Sequence, residues 1–69
     1  MEFKLKSEFV ELDNMLKALE LVSSGAEAKQ QIQSGTVKVN TQVESRVRRK
    51  LRAGDVVEFL GEKINIVGC

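Results

Sequence analysis

Five of the eleven Lys and Arg residues of this 69-residue chain fall between Arg46 and Arg52, inside the stretch "SRVRRKLRAGD". Four of the five (Arg46, Arg48, Arg49 and Arg52) carry guanidinium groups, whose planar fork of donors matches the oxygens of a phosphate. Lys50 adds a compact point charge. Cations packed this closely repel one another, a cost that a phosphate backbone relieves. A run of charge is ordinarily only a solvated face, but two features set this one apart. It lies between strand-like segments rather than in a tail. Val47 and Leu51, one helical turn or two strand pairs apart, can also pin it to the body so that the charges stand on a fixed surface.

The surrounding sequence has the opposite sign. The formal net charge is +1, yet residues 1–28 sum to −3, residues 29–52 to +6 and residues 53–69 to −2. A surface polarised in this way speaks of its partner, and the middle third is suited to a polyanion. Catalytic chemistry finds little to work with. There is no His to act as a base near neutrality, no carboxylate pair at a recognisable catalytic spacing and no phosphate-binding loop. Asp55 after Gly54 reads as a turn residue, and "SSG" as a helix cap rather than a nucleophile elbow. Nothing groups as a metal-ligand set or cofactor motif, so no metal and no cofactor are expected.

The elements that must position these residues follow from the hydrophobic period. In "EFKL", Phe3 and Leu5 alternate with Glu2 and Lys4, which predicts a short strand. Leu12, Met15, Leu16 and Leu19 then fall at i, i+3, i+4 and i+7, the stripe of a helix facing a core, with Asp13 near its positive end. Ser24 and Glu27 stand as a capping box before a second helix, on which Ala28 and Ile32 face the first. Gly35 supplies the left-handed cap that ends it. Beyond Gly35 the period is two: Val37 and Val39 point inward, Asn40–Thr41 turn, and Val43 is expected inward again. "AGD" at 53–55 makes a turn, and "VVEF" and "KINIV" are strands joined across Leu60–Gly61–Glu62. The expected fold class is α+β, a helical hairpin packed on a small sheet of about four to five short strands, as one domain over residues 1–69.

Composition bounds the rest. A chain this short hides only ~60% of the surface its unfolded form exposes, and its 42% apolar residues include three Phe but no Trp or Tyr. Phe3, Phe9 and Phe59 are assigned to the core, which leaves no aromatic platform for stacking single-stranded bases. What remains is phosphate contact with a few amide side chains (Gln30, Gln33, Asn40), a chemistry suited to the shape of a folded RNA. Cys69 is the lone cysteine, so no intrachain disulfide is expected and a reducing compartment fits. The sequence has no apolar run long enough for a membrane span or a secretory signal, so a cytoplasmic location is expected; a monomer is also expected.

The span "LDNMLKALELVSSGAEAKQQIQSGTVKVN" resembles the αL motif of the S4 RNA-binding domain. That motif joins an "LDxxL" helix (here Leu12, Asp13, Leu16), an "SxxxA" helix (Ser24, Ala28) and "GxVxVNG" (Gly35, Val37, Val39, Asn40). "LRAGDVVEF" is similar to the family's GD turn into its closing strand, and the small size resembles the stand-alone bacterial members of the YbcJ type. The resemblance implies binding to structured RNA, ribosomal or transfer RNA or a ribosomal particle. It implies contacts from the second helix, the following loop and nearby basic residues, with Lys29 at a position that favours a cation and Asn40 keeping its turn. Glu11 and Gly25 stand where many members carry Arg, and Thr41 replaces the usual turn Gly. The electrostatics are therefore expected to come from Arg46 to Arg52 instead. The RNA-binding set expected from residues and resemblance together is Lys29, Gln33, Lys38, Asn40, Arg46, Arg48, Arg49, Lys50 and Arg52.

A rival reading is a ubiquitin-like sulfur carrier or protein-interaction module. Such carriers share an "L-x-x-G-D-x-V" turn, which Leu51 to Val56 matches. They end in Gly-Gly, however, where this chain has Gly68–Cys69, and here two helices precede most of the strands.

Overall fold

The computed structural model describes residues 1–68, so Cys69, read from the sequence as a tail thiol, lies outside them. Strand β1 (Glu2–Lys4) is followed by β2 (Val10–Glu11), which runs directly into helix α1 (Leu12–Ala18). Helix α2 (Gly25–Gln33) comes next, then β3 (Val37–Val39), β4 (Gln42–Val43), β5 (Lys50–Leu51), β6 (Val56–Phe59) and β7 (Glu62–Val67). Five strands form one mixed sheet in the order β1-β7-β6-β3-β4, in which only β1 and β7 are parallel. The remaining two, β2 and β5, pair antiparallel with each other. The architecture is the α+β arrangement the period predicts. The β2–β5 ladder is additional, and two residues per strand are too few for alternation to reveal.

Strand alternation divides the sheet into two faces. Val37, Val39, Val57, Phe59, Ile64 and Ile66 are buried in one core with Leu12, Met15, Leu16, Ala28 and Ile32 of the helices. The opposite face carries Lys38, Glu58 and Lys63, aligned across β3, β6 and β7 by the register Lys38↔Glu58 and Glu58↔Lys63. Val43 departs from expectation: it is exposed, at 59%. The turn at Asn40–Thr41 pairs Val43 with Lys38, which places it on the outward face. The inward position opposite Val37 falls to Glu44, whose backbone N–H donates to the Val37 carbonyl at 3.0 Å.

The helices end as their sequences dictate, with one surprise. At the end of α2, Gly35 has φ of +84°, its N–H donates to the carbonyl of Ile32, and that of Thr36 donates to the carbonyl of Gln31, the paired bonds of a Schellman motif. Helix α1 ends in the same pattern, through Glu20 to Lys17 and Leu21 to Leu16, but with Glu20 rather than Gly at φ of +58°. At the start of α2, Ser24 Oγ accepts from the Glu27 N–H at 3.2 Å. The reciprocal half of the expected capping box is replaced, since the Glu27 carboxylate accepts instead from the Ser23 hydroxyl at 2.9 Å. Both hairpin turns place two consecutive residues at positive φ: Asn40 and Thr41, then Leu60 and Gly61, the geometry that two-residue hairpins favour.

Candidate nucleic-acid interface

The basic segment owes its position to the start of α1. The first N–H groups of any helix lack partners within it, and the side chain of Glu11 at the N-cap accepts from none of them. Here the N–H groups of Leu12 and Asp13 donate to the carbonyls of Arg49 (2.9 Å) and Val47 (3.2 Å). The register Val10↔Leu51 and Glu11↔Lys50 extends the attachment. Leu51 is wholly buried and Val47 packs against the core, as the spacing of these two residues predicts. Lys50 and Arg52, on either side of Leu51, are exposed.

Not every cation of the run is free. Glu44, with a side chain only 11% exposed, accepts from Arg46 Nε (3.0 Å) and Arg49 Nε (2.8 Å), and from the Arg46 backbone N–H and Nη2 at 3.0 Å each. These bonds from Arg46, first of all its side chain, hold the Glu44 carboxyl below the ordinary carboxylate range against the opposing effect of burial, and Arg46 is raised in return. Asp55 lies 3.8 Å from Arg49 Nη1. Burial pushes the Asp55 carboxyl up, but it is held low by the Arg52 backbone N–H at 2.9 Å, the Asn40 amide at 3.0 Å and the charges of Arg49 and Arg52. Five cations set against two carboxylates leave the segment a local charge of +3. The ion pairs of the described residues all belong to Arg46 and Arg49; Arg48, Lys50 and Arg52 have none.

The expected site residues divide accordingly. Arg48 faces the helical hairpin across an open cleft of about 710 Å³, lined also by Asp13 and Lys17 of α1, Gly25 and Lys29 of α2, and Val47. Lys29 and Arg48 are thus brought together from distant parts of the chain. Gln33 is exposed four residues beyond Lys29 on α2. Arg46 remains 73% exposed although paired, whereas Arg49 is 24% exposed and clamped between two carboxylates. Asn40 commits its amide to the body: Nδ2 donates to Asp55 and Oδ1 accepts from the Val56 N–H, both at 3.0 Å. Lys38 lies on the outward sheet face beside Glu58, away from the face that the helices cover.

Two residues escape sequence reasoning. The ammonium of Lys17 stands 3.8 Å from where a Cβ on Gly25 would lie, so a cation from α1 occupies the neighbourhood of the first turn of α2, where Gly25 supplies none. Helical spacing alone does not reveal this, because the approach crosses the hairpin. Phe9, assigned to the core from its type, lies outside the core cluster. Its half-buried ring sits under Lys50 Nζ at 4.9 Å and Arg52 Cζ at 5.7 Å. The signal was present in "FVE" and "KLR": Val10 and Leu51 take the inward positions, so their neighbours must turn out.

A helical hairpin laid on a small mixed sheet, with a basic turn stitched to its first helix, defines an αL-type module. The S4 domain family model matches residues 3–67, and the chain belongs to the S4 domain family. It is 44% identical over 62 residues to YbcJ of Escherichia coli K12 and, equally, to YbcJ of Shigella flexneri, covering 90% of this chain and 89% of each relative. The solution structure of the E. coli protein is described as revealing an αL motif involved in RNA-binding. It superposes with a TM-score of 0.72 at 43% identity, over 96% of this chain and 85% of that one.

Proposed function

We propose that this protein is a non-catalytic RNA-binding module that docks structured RNA, of ribosomal or transfer type, on the surface running from the α1–α2 cleft to β5. The observation that carries the reading is the presentation of Arg48, Lys50 and Arg52, without internal ion pairs, on a segment fixed to the α1 N-terminus by two backbone hydrogen bonds. Lys17 and Lys29 add two cations across the cleft, where with Arg48 they outnumber the carboxylates of Glu11 and Asp13. Arg46, largely exposed, adds the donors that Glu44 leaves unused. Arg49 and Asn40 serve the surface by holding its backbone in place, Gln33 flanks it on α2, and Lys38, on the outward sheet face, lies outside it. The work is cytoplasmic and the unit a monomer.

The test is a titration of a structured RNA hairpin at several salt concentrations. Log affinity should fall with log salt by ~0.7–0.9 per phosphate neutralised. Arg48→Ala combined with Lys50→Ala should weaken binding and lower that slope by about one per cation removed. A slope near zero, or one that the double substitution leaves unchanged, contradicts the proposal.

A further inference from the structure

Phe9 is the single aromatic side chain outside the core cluster among the described residues; Phe59 is buried and Phe3 packs against the core. Its place follows from the β2–β5 register. Val10↔Leu51 directs those two apolar side chains inward, and continuing the ladder by one residue sets Phe9 opposite Arg52, on the outward side with Lys50. The ring is half-buried, with two cations over it, at 4.9 Å and 5.7 Å. Among the described residues no carboxylate holds either cation, so these long side chains can swing aside to admit a base to the ring while their charges hold the adjoining phosphates, the combination with which proteins bind unpaired nucleotides.

We infer that Phe9, Lys50 and Arg52 form a shelf on which one unpaired base of the bound RNA stacks. The inference rests on the proposed RNA-binding function and narrows its substrate to structured RNA with an unpaired nucleotide beside a helix. Stacking of this kind is tolerant of base identity, since every base presents a π-face. The shelf therefore selects for an unpaired position rather than for a sequence. Its support is firm, because Leu51 beneath it is wholly buried and β2, which begins at the residue after Phe9, leads straight into α1.

The test uses two probes, an RNA hairpin with 2-aminopurine in its loop and the fully paired duplex of its stem. Phe9→Leu keeps apolar bulk but removes the π-face, and should reduce the ratio of hairpin to duplex affinity by about 5- to 150-fold. The chain contains no Trp, so Phe9→Trp installs a unique fluorophore that the hairpin should quench and the duplex should not. An unchanged affinity ratio in Phe9→Leu, an equal loss on both probes, or equal quenching by both overturns the shelf while leaving the basic surface standing. Failure of the unaltered protein to bind either probe at low salt overturns the basic surface and the shelf together.

Discussion

Glu44 decides what the basic segment can do. It holds an inward position one residue past β4, where an apolar residue would be ordinary, and a carboxylate is left there only when its charge is answered. Arg46 and Arg49 answer it, so two of the five clustered cations fix the loop while the others face solvent. Glu44→Gln removes that anchor. The expected cost is about 1–2 kcal/mol, carried mostly by the half-buried Arg49, since the exposed Arg46 pairing is screened by solvent; a chemical-denaturation midpoint would register it. The pH dependence follows from the same groups. Glu44 and Asp55 both have lowered folded-state pKa values, so their stabilisation is complete above the ordinary carboxylate range of roughly 3.9–4.3 and is lost as pH falls through the depressed values. Thermal midpoints recorded against pH should drop on the acid side, and Glu44→Gln with Asp55→Asn should flatten that limb.

The elements carry strain and anchoring that can be separated. Glu20 ends α1 at φ of +58° and Thr41 sits in the first hairpin turn at +72°, conformations that cost an L-residue roughly 1–2 kcal/mol. Glu20→Gly and Thr41→Gly should each raise stability by about 1 kcal/mol, read as a shift of the denaturation midpoint. The opposite sign is expected for Gly35→Ala at +84°. Leu51→Ala tests anchoring: loss of a wholly buried leucine should cost about 2–5 kcal/mol, with the amide resonances of Val10 and Glu11 shifting as β5 leaves β2. The long elements were legible because their periods repeat: Leu12, Met15 and Leu16 mark α1, and Val57 with Phe59 marks β6. The β2–β5 pair was not, because two residues complete no period. Val43 faces outward, against its type, for a related reason, since a two-residue turn fixes the return register through its positive φ angles rather than through hydrophobicity.

At the scale of the molecule, a near-neutral chain separates its charge into surfaces. The sequence revealed the cationic cluster and its apolar pins. Which arginines the body keeps for itself depended on Glu44, just past β4, and Asp55, just before β6, approaching them, and that required three dimensions. With extents of 30 × 23 × 19 Å, the protein can span only a short length of RNA. Lys17 and Lys29 share the cleft with Arg48, Arg46 and Lys50 group with Arg48, and Arg52 stands with Lys50 at Phe9; three to six phosphates neutralised by these six cations would give a salt slope of roughly 2–5. The most direct measurement of where RNA docks is amide chemical-shift mapping of the ¹⁵N-labelled protein as a structured RNA hairpin is added at low and at high salt. The largest shifts should fall on residues 46–52 and on α2 around Lys29, shrinking as salt rises. Shifts gathered instead on the outward sheet face around Lys38, Glu58 and Lys63, or indifferent to salt, would contradict the assignment.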